Sequence, residues 1–245
     1  MSSRLLFAAG VFTALLACKK KTEDEKALEK YEAKGKPRVA ALEKVGTAVK
    51  GVPPTSTDAL KPAPYRYTAH GDGDNLAFLQ AAALDNLAKP KFEQFELPNR
   101  LSVFQKNYYY NACSLMKTGK HHDGSAPFMA VDEPGLKALV AVQYVGVVRA
   151  HTFTAPEVVS EDEFKAGEVG GDVLVYDLES GAQLGAYRYT AKNAPNVKVD
   201  ISKKTDDLIF DLGSEVTRIV VRRFAELAPG ASIQTPDPTP TAIPK

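Results

Sequence analysis

Hydrophobic positions along the chain fall into blocks of different period. The clearest block is DVLVYDLESGAQLGAYRYTAK, Asp172 to Lys192, where two alternating runs flank Ser180-Gly181. Alternation of period two around a glycine that tolerates a left-handed backbone predicts a β-hairpin. Upstream, ALVAVQYVGVVRAHTF from Ala138 sets Val140, Val142, Tyr144 and Val148 on one face and Gln143, Arg149 and His151 on the other. Leu139, Val145 and Val147 make that second face partly apolar, as expected of a central strand, with Gly146 the candidate bulge. After the hairpin the period becomes helical. From Thr205 to Leu227, Leu208, Leu212, Val216, Ile219 and Val220 share one stripe, opposite Asp211, Glu215, Arg218 and Arg222. This predicts an amphipathic helix covering a sheet. Arg218 and Arg222 lie at helical reach of Asp211 or Glu215, so intrahelical pairing accounts for them more simply than anion binding.

Before the strand, the pattern predicts two more helices. One runs from about Asn75 to Ala88, with Leu76, Phe78, Leu79, Leu84 and Leu87 spread nearly all round and Lys89-Pro90 as the stop. Asp72 and Asp74 resemble half of a calcium loop but lack its third oxygen ligand, turn glycine and terminal glutamate, so they read as caps of that helix. The other spans Arg100 to Thr118, with Leu101, Phe104, Tyr108, Ala112 and Leu115 on one face and Gly119 ending it. Cys113 falls at the flank of the apolar face, with no activating histidine beside it, and reads as a semi-buried filler.

The ends differ from the centre. Lys19 to Lys50 is dense in Lys, Glu and Ala and reads as a solvated helix or tether. Pro37 opens a second piece in which Val39, Leu42, Val45 and Val49 recur at helical spacing and could dock on the domain. A Pro- and Gly-rich linker follows, and residues 230–245 form a proline-spaced tail expected to be extended. The predicted organisation is therefore a leader over 1–17, a charged tether and linker over 18–64, a domain over 65–229, and the tail. The domain is expected to be α+β: a short antiparallel sheet, strand plus β-hairpin, with helices packed on one face.

Composition narrows function mainly by exclusion. A formal net charge of +1 gives no electrostatic bias toward nucleic acid, and 44% hydrophobic with 25% charged residues is ordinary for a folded domain. The amino end is more specific: Arg4, an apolar run from Leu5 to Leu16 too short to span a bilayer, then Ala17 and Cys18. Leu15-Leu16-Ala17-Cys18 resembles the lipobox of the bacterial lipoprotein family, with Leu16 bulkier than usual. The resemblance implies diacylglycerol on the Cys18 sulfur, cleavage before Cys18, acylation of the new amino terminus, and anchorage in the cell envelope. Because Lys19 is not aspartate, it implies the outer membrane where there are two membranes. A lipidated Cys18 would leave Cys113 without a disulfide partner. Lys19 to Lys21 alone would draw anionic headgroups, but Glu23-Asp24-Glu25 cancels much of that field.

Reactive chemistry is sparse. His121, His122 and Asp123 are sequential neighbours, which rarely chelate one metal, and read as an exposed polar turn. GEVGGD precedes a strand and lacks the lysine and hydroxyl residue of a phosphate loop. No serine elbow and no HExxH occurs. The reading is a membrane-anchored, non-enzymatic envelope lipoprotein that docks a protein partner, with no catalytic residue, cofactor or metal assigned. The alternative is a domain binding a small ligand or envelope polymer on the sheet near Arg149, His151, Tyr187 and Tyr189, and an enzyme is the third reading.

Overall fold

The computed structural model of the 245-residue chain describes residues 21–68, 73–84, 87, 107–121, 123–160, 163–195, 197 and 204–235. In chain order these form α1 (Glu23–Val49), β1 (Ala59–Leu60), β2 (Arg66–Tyr67), β3 (Leu76–Gln80), α2 (Ala81–Leu84), α3 (Asn107–Thr118) and α4 (Met129–Ala141). There follow β4 (Tyr144–Thr154), β5 (Glu157–Val158), β6 (Phe164–Lys165), β7 (Glu168–Asp177), β8 (Gln183–Lys192), α5 (Lys204–Leu227) and β9 (Ser232–Ile233).

The class is α+β, as the pattern predicts. The expected hairpin is β7–β8, and Gly181 takes φ 72° at its turn. The sheet is larger than a strand plus hairpin. Its order is β1-β8-β7-β4-β3, antiparallel throughout except that β3 and β4 run parallel. Two small pairs flank it, β2 with β9 and β5 with β6. The ladder irregularity in β4 lies between Ala150 and Thr152 and not at Gly146. Gly146 instead faces Phe78 across the sheet: a Cβ there would come within 2.5 Å of the Phe78 ring.

Helices cover both faces, which corrects the expectation of one. Because side chains alternate along a strand, Leu79, Val145, Val147, Leu174 and Tyr176 point toward α1–α4, while Phe78, Tyr144, Val148, Val173, Val175, Tyr187 and Tyr189 point toward α5. On the α5 face, Phe224 is fully buried and meets Tyr65 edge-on at 4.9 Å and Phe78 at 5.6 Å. Leu208, Leu212, Val216 and Val220 form its buried stripe, as expected.

The segment read as a tether belongs to the fold. Leu28, Tyr31, Val39, Leu42, Val45 and Val49 are buried, one stripe of a single helix that continues through Pro37. Thr22 caps it: the Glu25 amide donates to the Thr22 hydroxyl at 3.1 Å, and the Thr22 amide donates to the Glu25 carboxylate at 2.7 Å. The start of the tail is also held, since the Ser232 amide donates to the Tyr65 carbonyl at 3.0 Å. The domain therefore reaches from α1 to β9, beyond both limits of 65–229.

One helix was misplaced by pattern and another was missed. Leu76–Gln80 is a strand, because apolar residues on both sides of a short run fit a strand buried on both faces as well as a buried helix. Asp74 thus precedes no helix; its carboxylate accepts the Thr68 amide at 2.7 Å. Asp72 and Lys89-Pro90 lie outside the described residues. Ala138–Ala141 belongs to α4, a helix that continues through Pro134 because Leu136 and Leu139 are fully buried. The predicted helix over 100–118 is described from Asn107 onward.

Candidate functional site

On the hairpin side the outer edge of the sheet is only partly covered. β1 pairs with β8 only at Ala59–Ala186 and Leu60–Gly185. The approach is close: a Cβ on Gly185, whose φ is 154°, would lie 2.1 Å from the Ala59 carbonyl oxygen. Beyond that pair, the Arg188 amide donates to Asp58 Oδ1 at 2.9 Å, away from β7. Alternate residues of an antiparallel strand turn their amides and carbonyls to opposite neighbours. Thr190 and Lys192 therefore direct theirs outward too, and no described strand pairs with them.

A buried charge cluster on β4 and β7, inward of this edge, ties the sheet to the end of α1. Arg149, at the third position after Gly146 in β4, sends Nε to Asp172 Oδ1 at 2.7 Å and Nη2 to Asp172 Oδ2 at 2.6 Å. Its remaining donors reach the carbonyls of Val49, Val52 and Pro53, where α1 ends and the linker begins. Asp172 also accepts the Thr55 amide at 2.8 Å and lies 3.1 Å from His151 Nε2. Burial alone would raise the Asp172 carboxyl's proton affinity. The Arg149 guanidinium and the Thr55 amide outweigh that and hold it below the ordinary aspartate range. All five Arg149 N–H directions point at the fold's own carbonyls and carboxylate, so the cluster acts as a clamp.

The four residues grouped from sequence do not converge. Tyr187 and Tyr189 lie buried on the α5 side, their hydroxyls donating to the carbonyls of Val220 at 2.9 Å and Arg149 at 3.2 Å. Arg149 lies on the α1 side with Asp172, and His151 is partly exposed beside it. Asp58, which the sequence did not single out, joins Arg188 at 3.3 Å and Arg223 at 2.9 Å, tying β1 to both the hairpin and α5.

The second cluster is the KHHD turn, which is more built than an exposed loop. His121 Nε2 lies 2.8 Å from the buried carboxylate of Asp132, and Nδ1 lies 2.8 Å from the Ser125 hydroxyl. Asp132 also accepts the Phe128 amide at 2.7 Å, closing the start of α4. The order Asp–His–Ser resembles a nucleophilic relay, but the Ser125 hydroxyl also lies 2.7 Å from Asp123 Oδ1, which competes with His121 Nδ1 for its single proton. The Ser125 amide donates to the same Asp123 oxygen at 2.8 Å, and the network fastens the turn. His122 lies outside the described residues.

Cys113 is fully buried, and burial, with Glu43 nearby, pushes its thiol up to about 12. It stays a protonated packing group. Among the described residues no group of three or more His, Cys, Asp or Glu is placed to hold a metal, and no helix is long and apolar enough to cross a membrane. Cys18, the expected lipidation site, lies outside the described residues. Set against known proteins, the chain matches no family model, no curated protein and no solved structure.

Proposed function

We propose that this protein is a lipid-anchored component of a bacterial cell envelope whose α+β domain docks a protein partner and performs no catalysis. The anchor is Cys18 in the lipobox-like Leu15-Leu16-Ala17-Cys18, with the outer membrane its destination where two membranes exist. The observation that carries the docking reading is the outward-facing edge of β8 at Thr190 and Lys192, beyond the Arg188 amide that Asp58 already occupies, in a sheet clamped by Arg149 and Asp172. A row of outward amides and carbonyls on a rigid strand accepts a partner strand through main-chain bonds. The reading of a ligand-binding face loses support because Tyr187 and Tyr189 are packed inside.

Two variants test the two halves. Cys18→Ala should abolish incorporation of a tagged fatty acid; equal label in variant and wild type would sink the anchor. Thr190→Pro removes an outward amide without touching a β7 bond, since proline is tolerated on an edge. Recovery of the crosslinked envelope partner should fall several-fold while the melting temperature holds. Unchanged recovery would sink strand addition. Arg188 is a poor probe, because reversing its charge would break its tie to Asp58.

A further inference from the structure

The first turns of α1 and α4 lie side by side. The Met129 amide donates to Asp24 at 3.3 Å, and Glu133 accepts from Lys30 at 2.7 Å and from the Tyr31 hydroxyl at 2.6 Å. Residue 24 thus meets 129, and 30–31 meets 133: the helices run the same way and share an amino-terminal end. At that end Phe128 is 56% exposed and Val131 62%, one turn apart, with Ala130 and Pro134 also exposed beside them. The other exposed large apolar side chains among the described residues, Val159 and Phe210, stand elsewhere, after β5 and on α5.

We infer that this end of the domain lies against the lipid bilayer and that Phe128 and Val131 enter its interfacial layer. The inference rests on the lipidation of Cys18 proposed above. From Cys18 to Thr22, the cap of α1, the chain can span at most about 14 Å even when fully extended. The acyl chains fix Cys18 at the membrane surface, so the α1–α4 end is held within that reach whatever path the intervening residues take. A tethered surface meets its target at high effective concentration, and apolar side chains gain by leaving water for the headgroup–acyl boundary. Charge does not set the pose: Lys19, Lys20, Lys21, Lys26 and Lys30 are nearly offset by Glu23, Asp24, Glu25 and Glu29. The exposed apolar pair does.

The test uses the full lipidated protein in phosphatidylcholine–phosphatidylglycerol vesicles, carrying Phe128→Cys labelled with a bimane fluorophore. Phe210→Cys is the reference, and buried Cys113 does not compete for label. A spin-labelled lipid should quench the probe at 128 several-fold more than at 210, and aqueous iodide should do the reverse. Equal responses at both positions in protein that carries lipid and floats with vesicles would overturn this inference and leave the anchor standing. Shielding of position 128 from both quenchers would overturn it in favour of contact with a second copy of the chain. Cys18 without diacylglycerol by mass spectrometry, in protein that does not float, would sink the anchor and this inference together.

Discussion

The two faces of the sheet are built from opposite materials. The α5 face is aromatic and self-evident: a helix with a continuous apolar stripe lays its Phe224 against Tyr65, Phe78 and Tyr187. The α1 face is covered by a helix whose sequence is mostly Lys, Glu and Ala, yet Leu42 on it is as fully buried as Phe224 on α5. Mean composition therefore says little about whether a helix belongs to a core. What decides is whether its few apolar residues fall on one line, and in α1 those from Leu28 to Val49 do.

The comparison breaks first if α1 is dispensable. A chain lacking residues 21–49 should lose cooperative unfolding and bind a hydrophobic dye, because Leu84, Cys113, Leu136 and Leu139 lose their cover. A sharp melt in that truncation would return α1 to the role of a tether. Next in size is Asp172→Ala, which leaves the Arg149 guanidinium buried without its counter-ion and should cost about 3–5 kcal/mol in urea unfolding. The pH dependence has a definite sign. The Asp172 carboxyl is held below its ordinary value in the folded state, so its contribution is present above about pH 4 and lost as the pH falls through the lower folded value. Asp172→Asn should therefore flatten the acid limb of the stability curve; an unchanged limb would assign it to other carboxylates. Smallest is Tyr187→Phe on the α5 face, which deletes one buried bond to the Val220 carbonyl and should cost about 1 kcal/mol by the same measurement. A loss as large as that of Asp172→Ala would show that the aromatic face also depends on a polar anchor.

Elements with one clean period were legible. The hairpin and α5 form where alternation and the helical stripe place them. α1 was half legible: Val39, Leu42, Val45 and Val49 were visible at helical spacing, while charge density argued for solvent. Thr22-Glu23-Asp24-Glu25 carried a capping-box signal for its start that composition obscured. β3 was read as a helix because a strand buried on both faces has no polar side to alternate with. The His121–Asp132 contact was not readable, since it requires α4, and Pro134-Gly135 hid that helix. The open β8 edge follows from the hairpin, but which of its residues turn their amides outward is set by the register with β7, which shifts between Val175 and Tyr176.

The parallel pairing of β3 with β4 also sets the chain-closure cost of assembling this fold. The hairpin closes across a short turn, whereas β3 must wait for α2, α3 and α4 to be in hand before its partner arrives. Closing so long a loop costs entropy before any ladder bond returns it, which makes this step slow. α1 is synthesised before α2, α3 and α4, the helices on which it packs, so its apolar line has no surface to bury against until they have formed. Its dense Lys and Glu, which made it resemble a tether, keep the waiting helix soluble through that interval.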